Sequence, residues 1–139
     1  MQRIMTSTAL LFAGALLLSG CAAGGGASTP SADACETVKS EVRDISNGAQ
    51  NVLASGGDPS EVQSSLEDYS VRVTELGETT GDAASTELEA LSGALDDAAE
   101  FAATLPSDPE AEVDADAVAE HQTAIQDAAT AASENCTSE

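Results

Sequence analysis

Apolar residues recur three and four positions apart along four separate stretches of this chain, and that spacing constrains its fold more than any other feature. At 3.6 residues per turn such positions stack on one helix face, whereas on a strand they would scatter over both sides. The first seam reads Cys35, Val38, Val42, Ile45, Ala49 and Val52. The second is Val62, Leu66, Tyr69, Val73 and Leu76, and the third is Ala84, Leu88, Leu91, Leu95, Ala98, Ala102 and Leu105. The fourth is Val118, Gln122, Ile125, Ala129, Ala132 and Cys136. Punctuating residues separate them. Asp33 with Glu36 has the form of a capping box, and Gly56-Gly57 the form of a stop. Asp58-Pro59 opens the second segment and Gly77 is expected to end it; Pro106 closes the third, and Asp108-Pro109-Glu110 repeats the Asp-Pro start before the fourth. Asn47-Gly48, inside the first segment, disfavours helix and predicts a kink or an early stop there.

Four helices with short links predict an all-α, up-down-up-down antiparallel four-helix bundle over residues 33–139. Composition pulls the other way. Leu, Ile, Val and Phe make up 18 of the 107 residues from Asp33 to Glu139, about 17%, and a large acidic surplus accompanies them. That combination is characteristic of disordered chains. Alanine offsets it, because it is the best helix former and lets helices approach closely. A folded bundle of modest stability is the expectation.

The N-terminus reads differently. Arg3 supplies a short positive region and Ala9 to Leu18 an apolar run, of signal-peptide length and too short to span a bilayer as a helix. The run ends in Leu18-Ser19-Gly20-Cys21, which resembles the lipobox of bacterial lipoproteins. The resemblance implies that residues 1–20 are a removed signal and that Cys21 becomes the lipidated first residue. Read without it, the same segment is an ordinary secretory signal. Residues 21–32 then form a tether: Ala22 to Ala32 are Ala, Gly, Ser, Thr and Pro, and as a coil would span roughly 18 Å. Acyl chains contribute about 0.8 kcal/mol per buried methylene, so a multiply acylated cysteine suffices as an anchor.

With Cys21 committed to lipid, Cys35 and Cys136 are the remaining thiols. In an up-down-up-down bundle the first helix starts where the last one ends, so these two cysteines should lie side by side. Export places them in an oxidising compartment, and a Cys35–Cys136 disulfide follows. At family level, the lipobox, the small-residue tether, the two domain cysteines and the Ala/Asp/Glu-rich seams look like the small helical lipoproteins of high-GC Gram-positive bacteria. That resemblance implies attachment to the outer face of the cell membrane and no catalytic activity.

Charge bounds the partners. The chain carries 25 Asp and Glu against 4 Lys and Arg, a formal charge of −21, and loss of Arg3 with the signal makes it −22. Nucleic acid is therefore excluded, because phosphate contacts need clustered cations. From Val73 onward there are 17 acids and no Lys or Arg, whereas Lys39, Arg43 and Arg72 fall on the first helix pair. The predicted bundle places those cations within roughly 12 Å of the membrane-proximal end. Asp58, Glu61, Asp108, Glu110, Glu112, Asp114 and Asp116 gather at the opposite tip. Two readings of the tip stand: a surface for a basic protein or for cations, and acids placed at helix starts because they complement the macrodipole.

Chemistry-bearing residues are few. His121 is the single histidine and sits beside the fourth seam, so metal and haem sites are not expected, and no cofactor is. Tyr69 falls on the second seam, where packing accounts for it. The alternating carboxylates from Asp108 to Asp116 lack the glycine and the terminal glutamate of a calcium loop. A non-catalytic surface interaction or structural module is expected. The alternative is a carrier that holds a small apolar ligand between alanine-lined helices.

The anchor is directly testable. Cys21→Ser is expected to abolish fatty-acid labelling of the protein and to release it from the membrane fraction or leave it unprocessed. Retained label would remove the lipoprotein reading.

Overall fold

A computed structural model describes residues 32–108 and 110–136. Cys21, the expected signal and all of the expected tether except Ala32 lie outside these residues. Four helices follow in order: α1 (Ala32–Ser55), α2 (Pro59–Thr80), α3 (Ser85–Ala103) and α4 (Ala115–Asn135). Each packs along its neighbour in the chain, and α1 closes the ring against α4. This is the antiparallel four-helix bundle that the seams predict.

The seams supply the core. Val38, Val42, Ile45, Leu66, Val73, Leu91, Leu95 and Ile125 are almost completely removed from solvent. Small residues fill the rest: Ala49, Ala98, Ala102 and Ala132 are buried completely. Helix α4 contributes the thinnest face, with Ile125, Ala129 and Ala132 as its buried positions. Its contact with α1 is partly polar. The Gln122 amide donates to the Gln50 carbonyl at 3.1 Å, and the Gln50 amide donates to Ser46 Oγ at 3.0 Å and Gln126 Oε1 at 2.9 Å. Directional bonds of this kind fix a register that alanine alone leaves loose.

Termini follow local chemistry with three departures. As expected, Asp58 caps α2, accepting from the Ser60 amide, with Pro59 at the first helical position. Asp33, in contrast, lies inside the first turn of α1 rather than ahead of it. Gly77 does not end α2. Gly81 ends it one turn later at φ +66°, its amide donating to the Gly77 carbonyl. The second Asp-Pro does not start α4, which begins six residues beyond it with Asp114 as its cap. Asp108 instead closes a turn, accepting from the Glu110 and Ala111 amides. A helix begun at Asp108 would carry no seam residue before Val118, since Val113 is exposed, so nothing would hold it on the bundle.

Helix α1 runs unbroken through Asn47-Gly48, correcting the expected early stop. The glycine is there for packing. A Cβ built at Gly48 would stand 2.3 Å from Tyr69 Oη and 2.6 Å from its Cζ, so the tyrosine ring lies directly against the α1 backbone. Tyr69, half-buried, has the Arg72 guanidinium over its ring at 5.7 Å.

Cys35 and Cys136, both buried, are disulfide-bonded with Cα atoms 5.3 Å apart. The bond joins the first turn of α1 to the residue after α4 across 101 positions of sequence. A loop of that size corresponds to about 4.7 kcal/mol in the chain-entropy description.

Reduction is therefore expected to lower the thermal midpoint by about 10 °C or more, read by circular dichroism with and without reductant. An unchanged midpoint would show that helix packing alone holds the bundle. A glycine comparison checks the packing account. Gly48→Ala should destabilise by about 1 kcal/mol despite the better helix propensity. Gly93→Ala, where an added Cβ meets nothing within 4 Å, should stabilise by up to about 1 kcal/mol. Urea unfolding reads both, and equal effects at the two positions would refute the distinction.

Candidate functional site

The bundle has two unlike ends. The α1–α2 loop and the long α3–α4 loop share one, and the α2–α3 turn shares the other with the disulfide. Acids predicted for the tip fall at the first. They are exposed, but they are not equivalent. Asp58 accepts from the Ser60 amide and hydroxyl, and these bonds hold its carboxyl below the usual carboxylate range. Asp108 closes its turn, and Asp114 accepts from the Asp116 and Ala117 amides at 3.0 and 3.2 Å. Three of the seven carboxylates thus serve the backbone, Asp58 and Asp114 at helix starts and Asp108 in a loop turn. Glu61, Glu110, Glu112 and Asp116 are the exposed remainder.

The two loops converge over a groove of about 530 Å³. Asp58 and Asp108 line it together with Leu53, Leu105, Val113 and Val118. Apolar surface therefore accompanies the charge at this end. Val113 is one of the larger apolar side chains left exposed, at 44% of its surface. Leu105, beyond the end of α3, is half-buried and packs against the core from the loop. The periodicity of the sequence does not reveal this groove, because most of its wall is loop.

Cations do not form a uniformly basic opposite end. Lys39 and Arg43 are exposed on α1, and Arg72 pairs with Glu41 at 2.9 Å. Yet the α2–α3 turn lies at the same end and brings Glu78, Asp82 and Glu89 with it, all exposed. Among the described residues the Lys and Arg side chains all belong to α1 and α2, whereas the α2–α3 flank is acidic. Arg43 also borders a smaller groove between α1 and α4, lined by Ser46, Asn47, Gln126, Ser133 and Glu134.

His121 stacks on Phe101, with ring centroids 4.6 Å apart and planes at 25°. It is half-buried at the α3–α4 contact, and the antiparallel register that seats these rings together was not apparent from His121 alone. Among the described residues, no group of three or more His, Cys, Asp and Glu side chains converges as a metal site requires. No described helix is long and apolar enough to cross a membrane. The alanine-lined seams meet in the closed core described above, and the grooves open to solvent on the outside of the bundle. In comparisons by sequence and by fold, no family model, curated protein or solved structure matches this chain.

Proposed function

We propose that the protein is a lipid-anchored surface lipoprotein of the small helical kind found in high-GC Gram-positive bacteria, and that it acts as a non-catalytic interaction module. Cys21 carries the anchor, the small-residue tether spaces the bundle from the outer face of the membrane, and the loop end meets a basic partner protein. The observation that carries this reading is the loop groove, in which Asp58 and Asp108 border an apolar surface of Leu53, Leu105, Val113 and Val118. Charge alone attracts diffusely, and an apolar floor beside it provides area whose burial adds affinity and fixes a partner's position. Acidic surplus over the rest of the chain steers a basic protein toward it and repels other copies.

The caps direct the test. Changing Glu61, Glu110, Glu112 and Asp116 to their amides removes charge while leaving Asp58, Asp108 and Asp114 on their backbone amides. In cells, this variant is expected to lose crosslinked basic partners that the unaltered protein retains, and the loss should be greatest at low salt. An identical partner set for both proteins would reduce these four acids, none of which lines the groove, to solvation.

A further inference from the structure

A glycine inside a helix costs about 1 kcal/mol relative to alanine, so each one asks for a reason. Gly48 has one in the Tyr69 ring. Gly77 and Gly93 have none within the bundle: a Cβ at Gly77 would meet Leu88 Cδ1 at an ordinary 3.9 Å, and at Gly93 it would meet nothing within 4 Å. Both line one groove of about 640 Å³ along the outside of α2 and α3. Val73 and Leu88, both almost fully buried, lie at its base. Glu78, Asp82, Glu89 and Asp96 border it, all exposed.

We propose that this groove docks an amphipathic helix of a basic partner protein. The apolar stripe of that helix lies over the open backbone at Gly77 and Gly93, above the buried Val73 and Leu88, and its flanking Lys and Arg side chains meet the four carboxylates. Glycines where side chains would otherwise stand let the incoming axis approach the bundle closely. The groove follows about two turns of α2 from Val73, with Gly81 just beyond them, and about three turns of α3 from Ser85 to Asp96, which matches a docked helix of two to three turns. Charge selects the occupant. No Lys or Arg occurs from Val73 onward, and the last turn of α2, whose carbonyls carry the negative end of its dipole, holds no basic residue. A cationic helix supplies what is missing on both counts, whereas a second copy of this chain, at −21, is repelled. This surface lies on the flank at the disulfide end, away from the loop groove, and does not rest on the reading given for that groove.

The test uses the full-length protein in neutral phosphatidylcholine nanodiscs, with empty discs as blank, and a fluorescein-labelled Leu/Lys heptad peptide of 18 residues read by anisotropy. Binding is expected to weaken steeply with salt. Gly93→Leu, which fills the groove from an open position with a good helix former, should weaken it at least tenfold while leaving the thermal midpoint no lower than that of the unaltered protein. The double change Glu89→Gln with Asp96→Asn should flatten the salt dependence. A peptide with every Leu replaced by Ser should bind at least tenfold more weakly. Amides at Glu61, Glu110, Glu112 and Asp116 should leave the affinity within twofold. No binding to the unaltered protein, undiminished binding to Gly93→Leu, or equal binding of the Ser-substituted peptide would overturn the proposal. The last of these would mean diffuse charge attraction in place of a docking groove.

Discussion

The covalent bond between the first turn of α1 and the residue after α4 is the constraint on which this small bundle rests. Its core is built from twelve buried larger aliphatic side chains and a set of buried alanines, and alanine removes little apolar area from water per residue. Opposing that modest gain is a formal charge of −21, whose mutual repulsion is weaker in an expanded chain. Helix dipoles add to the imbalance, since none of the four helices carries a basic residue in its last turn. Tying the two chain ends of the bundle together restricts the unfolded ensemble and leaves the packed state untouched. The staple also forces α1 and α4 side by side, where the thinnest apolar face lies and where Gln50, Gln122 and Gln126 complete the contact.

Acids at the loop end illustrate how one residue type serves two purposes. Asp58, Asp108 and Asp114 are short enough to reach the amides of their own turns, and their carboxylates hold helix starts and a loop in shape. Glu61, Glu110, Glu112 and Asp116 contribute field rather than local bonds. The carboxylates at this end therefore differ in role: Asp58, Asp108 and Asp114 shape the backbone, and Asp58 and Asp108 also border the loop groove.

Glycine shows the same division on the helices. Gly48 is demanded from within, by a tyrosine ring laid against the α1 backbone; Gly81 is demanded by its left-handed conformation at the end of α2. Gly77 and Gly93 answer to neither, and both border a groove with an apolar base and an acidic edge. The flank of α2 and α3 is thus the part of the surface whose composition the fold itself leaves unexplained, in contrast to the cationic flank of α1 and α2, where Arg72 is held by Glu41 and by the Tyr69 ring.

Much of this architecture is legible in contiguous residues. Three-and-four spacing marks a helix face because neighbours along a helix are fixed by its own pitch, and Asp58-Pro59 marks a start because cap and amide lie two residues apart. Once four such segments alternate with short links, antiparallel order follows, and with it the meeting of Cys35 and Cys136. What remained undecided were the features whose cause lies elsewhere in the chain. Asn47-Gly48 breaks an isolated helix, but the ring of Tyr69 makes the glycine a packing requirement. Asp108-Pro109 starts a helix only if the following turns have a surface to bury against, and none of the residues before Val118 provides a seam. The stacking of His121 on Phe101, the loop groove and the open glycines of α2 and α3 depend on register between helices. Periodicity reports which face of a helix is apolar, but only packing decides what that face meets.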